Sequence, residues 1–217
     1  MLIHQQKDIP TLIKDTGLVE TRRRQIVQAA VDLFIQKGFH KTTTREIAGR
    51  ANFSIGTLYE YIQSKEDILY LVCEFIHSEM EKQVKEAIKP AGTGRDTLKN
   101  AIDRYLRVCD LMQDHILLIY RETASLPGDS ISYVLRNESR ITGMFEDILT
   151  RGKDDGTLKL RHHRGITLIA HNITVLGHMW TFRRWFLKKA FTLDEYIELQ
   201  TSLILNELSS HNGDGPP

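Results

Sequence analysis

The sequence predicts an all-α protein in two parts: an N-terminal three-helix helix-turn-helix domain, then a larger helical domain. Three observations lead there. Apolar residues recur at three- and four-residue intervals through the long segments, the period of a helix with one buried stripe. No stretch alternates apolar and polar residues as a half-buried strand would. Ser or Thr stands three residues before an acid at Thr43/Glu46 and Ser64/Asp67, the mark of a helix start in which each side chain satisfies a backbone N–H of the other.

In chain order, residues 1–20 carry little periodicity, with Pro10 and Gly17 as breakers, and read as a flexible extension. It either reaches along a partner or folds back. A helix from Thr21 puts Ile26, Ala29, Ala30, Leu33 and Phe34 on one face and ends at Gly38, with Phe39 packing back. Thr43 opens a short helix with Ile47, Ala48 and Ala51 on its apolar edge; Asn52 tolerates the left-handed backbone of a sharp turn. Ser54 caps a second short helix in which Leu58 and Ile62 define the buried edge, leaving Tyr59 and Tyr61 off it. Two short helices across a tight turn form a helix-turn-helix, and the second has the dimensions to enter a DNA major groove.

A longer helix follows over residues 64–89, then a loop at Pro90–Gly94 and helices over 97–112, 116–124 and 130–153. Residues 165–187 read as one long, very apolar helix, and residues 194–208 as the last. The expected domains are therefore 21–66 and 67–208, with 209–217 a polar, disordered tail.

Composition bounds the function. With 41% apolar and 26% charged residues, the 217-residue chain resembles an ordinary soluble protein. It lacks a membrane-span run or a signal-peptide start, which suggests a cytoplasmic location. Cys73 and Cys109 lack CxxC spacing and read as buried, reduced filler rather than a redox pair. The net charge of +1 is uneven: from Glu20 to Lys65 eight basic residues face four acidic ones, so the helix-turn-helix end is the basic end, as attraction to phosphate requires. No paired carboxylates, nucleophile motif, phosphate-cradling glycine loop or metal spacing supports an enzyme, a cofactor or a metal site. His171 and His178 are two turns apart, and His162 and His163 diverge.

The run RRRQIVQAAVDLFIQKGFHKTTTREIAGRANFSIGTLYEYIQSKEDIL resembles the DNA-binding domain of TetR/AcrR-family transcriptional regulators. The likeness covers about Thr21 to Leu69, through Lys37-Gly38-Phe39, the Thr-Thr-Arg-Glu-Ile-Ala start, Gly-Thr-Leu-Tyr, the second Tyr and Ser-Lys-Glu-Asp. Two positions depart from it: Asn52 replaces a usual turn glycine, and Ile55 a usually polar residue, which suggests a contact with a thymine methyl. The resemblance implies a repressor that binds a palindromic operator in double-stranded DNA as a homodimer, joined through its last two long helices. A small hydrophobic effector would release it, with acyl-CoA as one class, since Tyr120-Arg121-Glu122 and the Trp/Phe-rich stretch near Trp180 resemble acyl-thioester responders. A DNA-bound structural or division-control protein of the same fold, without a switch, is the alternative.

Expected DNA contacts are Ile55, Gly56, Thr57 and Tyr59 at base edges, with Thr44, Tyr61 and Lys65 on phosphates and Arg45 on either. Expected effector contacts are Tyr105, Cys109, Tyr120, Arg121, His171, Asn172, Val175 and Met179, chosen because polar groups inside apolar helices need partners or ligands.

Overall fold

The computed structural model describes residues 9–11, 13–89, 92–159 and 164–209. The expectations for residues 1–8, His162 and His163, and for the tail beyond Ser209, lie outside the described residues. The described elements are α1 Thr16–Lys37, α2 Thr44–Arg50, α3 Ile55–Tyr61, α4 Lys65–Ala87, α5 Gly94–Leu111, α6 Gln113–Glu122, α7 Gly128–Asp154, α8 Gly165–Phe182, α9 Arg184–Ala190 and α10 Leu193–Glu207. A 3-10 turn, Thr123–Ser125, follows α6. Among the described residues all regular structure is helical.

The chain forms two compact units, one of Met1–Glu79 with Asp114–Glu138, the other of Met80–Gln113 with Ser139–Pro217. The first is built on a three-helix core. Ile26, Ala30 and Phe34 of α1 are fully buried, with Ile47 of α2, Leu58 of α3 and Ile62 beyond it. Phe39 meets Phe34 edge to face, the ring centroids 5.4 Å apart. Gly38 ends α1 at φ 82°, a backbone that favours glycine, and its N–H reaches Phe34 O. The 3-10 turn and the end of α6 dock on the same corner. The buried Glu122 carboxylate accepts from Phe39 N at 3.3 Å, and Ser125 Oγ lies 3.3 Å from His40 Nε2. Cys73 is buried within this unit, its thiol pushed up to about 12 by that burial.

In the second unit α5 packs on both α8 and α10. Gly177 permits the first contact: a Cβ there would lie 2.5 Å from Cys109 Sγ and 2.8 Å from Tyr105 Cε1. Tyr105 is fully buried and its hydroxyl donates to Thr174 O at 2.9 Å. Trp180 donates its indole N–H to Asp110 at 2.9 Å, and Lys188 pairs with the same carboxylate at 2.7 Å. Burial alone would raise the Asp110 carboxyl; the hydrogen bonds from Lys188 and Trp180 outweigh it and hold the group below its usual range.

Several boundaries differ from expectation. Helix α1 begins at Thr16 rather than Thr21, because Asp15 accepts from Leu18 N and caps it; Gly17 is taken into the first turn. Residues 16–20 therefore belong to a helix and not to a flexible extension. The expected single helix over 165–187 is broken at Arg183, with α9 running on to Ala190.

Candidate nucleic-acid interface

Local hydrogen bonds place the helix-turn-helix. At the start of α2, Thr43 N donates to the Glu46 carboxylate at 2.8 Å, and Thr43 Oγ1 accepts from Glu46 N at 3.3 Å. Lys37 also donates to Glu46, and together these bonds lower its carboxyl to about 2. Arg50 closes α2 onto α1 through Asp32 at 2.8 Å. The turn is made by Asn52 at φ 59°, after which Phe53 N returns to Ala48 O at 2.8 Å. Ser54 Oγ then accepts from Thr57 N at 3.0 Å and caps α3. At the far side, Ser64 N donates to Asp67 at 2.9 Å while Asp67 N donates to Ser64 Oγ at 3.1 Å, the reciprocal pair expected at the start of α4.

These bonds leave an outward edge of Arg45, Ile55, Gly56 and Tyr59, all exposed, with Thr44 and Thr57 half-buried beside them. Tyr59 OH lies 3.2 Å from Thr44 Oγ1, so the start of α2 orients a side chain of α3. Thr57 Oγ1 is 2.9 Å from Ser54 Oγ. A Cβ at Gly56 would meet nothing closer than Ser54 Oγ at 3.7 Å; nothing in the protein itself requires glycine there.

Two expected DNA contacts are placed differently. Tyr61 is only 4% exposed, with its ring 6.4 Å from that of Phe53. Tyr61 stands three residues after Leu58 and so shares its face of α3, while Ile62 is already extended beyond the helix; Leu58 and Tyr61 form the buried edge. Lys65 is turned inward. Its ammonium donates to Phe39 O at 2.9 Å, Thr42 O at 3.0 Å and His40 O at 3.4 Å, and lies 4.3 Å from the Phe39 ring centroid. Three donors on three carbonyls make it a clamp on the loop between α1 and α2 rather than a free phosphate anchor.

Within the second unit, the expected effector contacts on α5 and α8 face different ways. Tyr105 and Cys109 are buried in α5 against Gly177, and burial pushes the Cys109 thiol up to about 12. His171, Asn172 and Val175 point the other way, on the exposed side of α8 with Leu168, while Met179 is half-buried. Tyr120 and Arg121 are exposed on α6 in the other unit. His171 and Asn172 thus mark the outer face of α8, while Thr174, His178 and Thr181 are buried on its inner one. A cavity of 840 Å³ lies between α5 and α10, but Arg95, Lys99, Asp103, Arg107, Asp194 and Glu198 line it, and Arg107 already pairs with Asp103 and Asp194. Ile197 and Leu205 supply its apolar lining.

The sequence reads Arg22 to Arg24 as either a phosphate contact or an exposed basic turn, and Arg23 is placed as neither. Its guanidinium joins Tyr61 O and Ile9 O, a bond pattern that no spacing announces. Among the described residues no cluster of His, Cys, Asp or Glu could hold a metal ion, and no helix is long and apolar enough to cross a membrane.

Residues 26–70 match the family of bacterial regulatory proteins, tetR family, and residues 91–206 match the tetracyclin repressor-like C-terminal domain. The HTH-type transcriptional regulator HbdR of Aromatoleum sp. (strain CIB) is 28% identical over 95% of this chain and 89% of its own. The fatty acid metabolism regulator protein of Bacillus subtilis (strain 168) is 29% identical over 62% of this chain and 70% of its own. The crystal structure of AibR in complex with isovaleryl coenzyme A and operator DNA superposes with a TM-score of 0.67 at 18% identity, covering 84% of this chain and 97% of that one. With a DNA-binding head matched at one end and a C-terminal domain matched over more than half its length, the chain belongs to the TetR family of transcriptional regulators.

Proposed function

We propose that the protein is a homodimeric repressor. In this reading two copies of α3 enter successive major grooves of a palindromic operator, and a small hydrophobic effector releases them. The observation that carries it is the exposed edge of Arg45, Ile55, Gly56 and Tyr59, with Thr44 half-buried beside it, on two short helices whose starts are both capped. Gly56 admits close approach to the duplex, Ile55 offers an apolar contact to a thymine methyl, and Arg45 reaches phosphate or a guanine edge. Thr57 joins them once its hydroxyl turns from Ser54. Lys65 and Tyr61 act from behind by holding the head's shape.

Reading two half-sites requires two copies. Leu168 and Val175 on α8 and Leu199 and Leu203 on α10 are 53–65% exposed, an apolar face that supports dimerisation through these helices. His171 and Asn172 lie on that face and are reassigned to it. For the effector, acyl-CoA thioesters are the first class to try: AibR binds isovaleryl coenzyme A, and a fatty acid regulator is among the relatives.

The test begins with selection of genomic fragments by the purified protein, followed by titration of the selected duplex with and without acyl-CoAs of increasing chain length. A salt-sensitive preference for a palindrome is expected, weakened at least about tenfold by the matching thioester. Equal affinity for every duplex would end the DNA-reading proposal. An operator complex indifferent to every thioester would remove the effector class and favour a DNA-bound protein without a switch.

A further inference from the structure

We propose that the segment around Ile9 braces the recognition helix through Arg23, which tunes operator reading without touching DNA. The proposal rests on the reading of α3 as the element that enters the groove. Helix α3 is Ile55–Tyr61, seven residues, too short to be stable by itself, and its last carbonyls have no partners within it. Groups outside the helix-turn-helix supply two of the missing donors. Arg23 Nε of α1 donates to Tyr61 O at 3.0 Å, and Thr11 Oγ1 donates to Glu60 O at 2.8 Å. The same guanidinium donates through Nη2 to Ile9 O at 2.5 Å, so one planar fork ties the N-terminal segment to the end of α3.

The segment is itself fixed at both points. The Ile9 side chain is 2% exposed, and Thr11 Oγ1 also accepts from Ile13 N at 3.2 Å, which orients the hydroxyl. A cation at the carbonyl end of α3 also complements the helix dipole. The neighbours of Arg23 serve elsewhere: Arg22 lies over the Phe53 ring at 5.3 Å and Arg24 pairs with Glu20 at 3.0 Å. The basic run at the start of α1 therefore divides by role, and Arg23 is its inward member.

Base-edge contacts tolerate misplacement of only about 0.5 Å, whereas attraction to phosphate is long-ranged and forgiving. A slack α3 should thus lose sequence preference before it loses general affinity. The measurement uses full-length Arg23→Gln, Arg23→Lys and Thr11→Ala. Each is titrated over a range of salt against the operator selected by the unaltered protein and against a scrambled duplex, at a temperature where its melting curve shows it folded.

Arg23→Gln is expected to weaken operator binding about tenfold and Thr11→Ala about threefold. Affinity for the scrambled duplex and the salt slope should not change. Arg23→Lys should recover part of the loss, since an ammonium can still reach a carbonyl. The double variant Arg23→Gln/Thr11→Ala should fall short of the product of the two, because both bonds hold one helix end. Equal weakening on both duplexes, with a salt slope smaller by about one, would make Arg23 a phosphate contact and overturn the brace. A lower melting temperature with operator affinity intact would overturn it too, leaving only a structural role. If the unaltered protein prefers no duplex at all, the reading of α3 fails first, and the variants have no preference to lose.

Discussion

Helices α3 and α8 carry the same kind of sequence signal, apolar residues at helical spacing, yet they differ in how completely that signal fixes them. Around α3 almost every structural decision is made within four residues: Thr43 with Glu46, Asn52 in the turn, Ser54 with Thr57, Ser64 with Asp67. In α8 the decision is made from α5. Gly177 is the point where Tyr105 and Cys109 come close, so Ala170, Ile173, Thr174 and Gly177 turn inward. Leu168, His171, Asn172 and Val175 are left outside. A helix apolar all round does not announce which side meets its neighbour.

The outer face of α8 gives the largest effect by which this contrast can be broken. If α8 and α10 are finished only by a second copy, Val175→Glu with Leu203→Glu should leave a folded monomer, since both positions are exposed at 55% and 65%. Operator affinity should fall about a hundredfold or more as bivalent engagement is lost. Sedimentation and operator titration check both. A variant that stays dimeric would mean that copies pair elsewhere, and α8 would be no less self-sufficient than α3.

Lys65 sharpens the comparison from the other side, as a residue whose role in the head is not local. Removing its ammonium leaves the carbonyls of Phe39, His40 and Thr42 without their shared donor. Lys65→Met should lower stability by about 1–3 kcal/mol. The slope of operator affinity against salt should stay as it was; a slope smaller by about one would restore the phosphate role.

The helix count of the head, its turn and the caps at Thr43, Ser54 and Ser64 were legible because each has a chemical signature within one helical turn; the Asp15 cap of α1 was not read. What was not legible depends on contacts distant in sequence. Tyr61 is the exception, since it shares the inward face of α3 with Leu58, three residues before it. Lys65 and Arg23 find carbonyls 23 to 38 residues away, apart from the Arg23 bond to Ile9 O. The break at Arg183 has no proline or glycine to mark it. The groups that hold the chain beyond it are Asp110 with Lys188 and the Arg183 guanidinium 5.2 Å from the Trp185 ring centroid. The expected effector residues of α5 and α8 divide between inner and outer faces for the same reason, since polarity within an apolar helix says that a residue is special and not which side it faces.

One substitution made in both regions separates them by sign. Gly177→Ala puts a Cβ 2.5 Å from Cys109 Sγ and should destabilise the second unit by about 1–3 kcal/mol through overpacking. Gly56→Ala has room, and the gain in helix propensity should stabilise the head by up to about 1 kcal/mol. Its operator affinity should nevertheless fall about tenfold, because the added methyl stands where the duplex must approach. Melting curves and operator titrations on the pair decide it. A Gly56→Ala protein that is more stable and binds as before would remove Gly56 from the interface.

The smallest effect compares two capping boxes of the same design, Thr43/Glu46 in the head and Thr192/Glu195 at the start of α10. Both carboxyls are held below their usual value near 4.5. Glu195 is held by the Thr192 backbone N–H and then its hydroxyl. Glu46 is held by Lys37 first and by Thr43 after it, and falls to about 2. A carboxyl lowered in the folded state contributes stability that is complete above its unfolded value and is lost as pH falls through its folded one. The contribution of Glu46 should therefore persist at pH 6 and fade between about pH 4.5 and 2. Glu46→Gln should flatten the acid side of the melting-temperature profile more than Glu195→Gln does, because only the head's box adds a cation from a neighbouring helix. Equal flattening by the two would mean that Lys37 adds nothing to the cap, and that the box itself accounts for both.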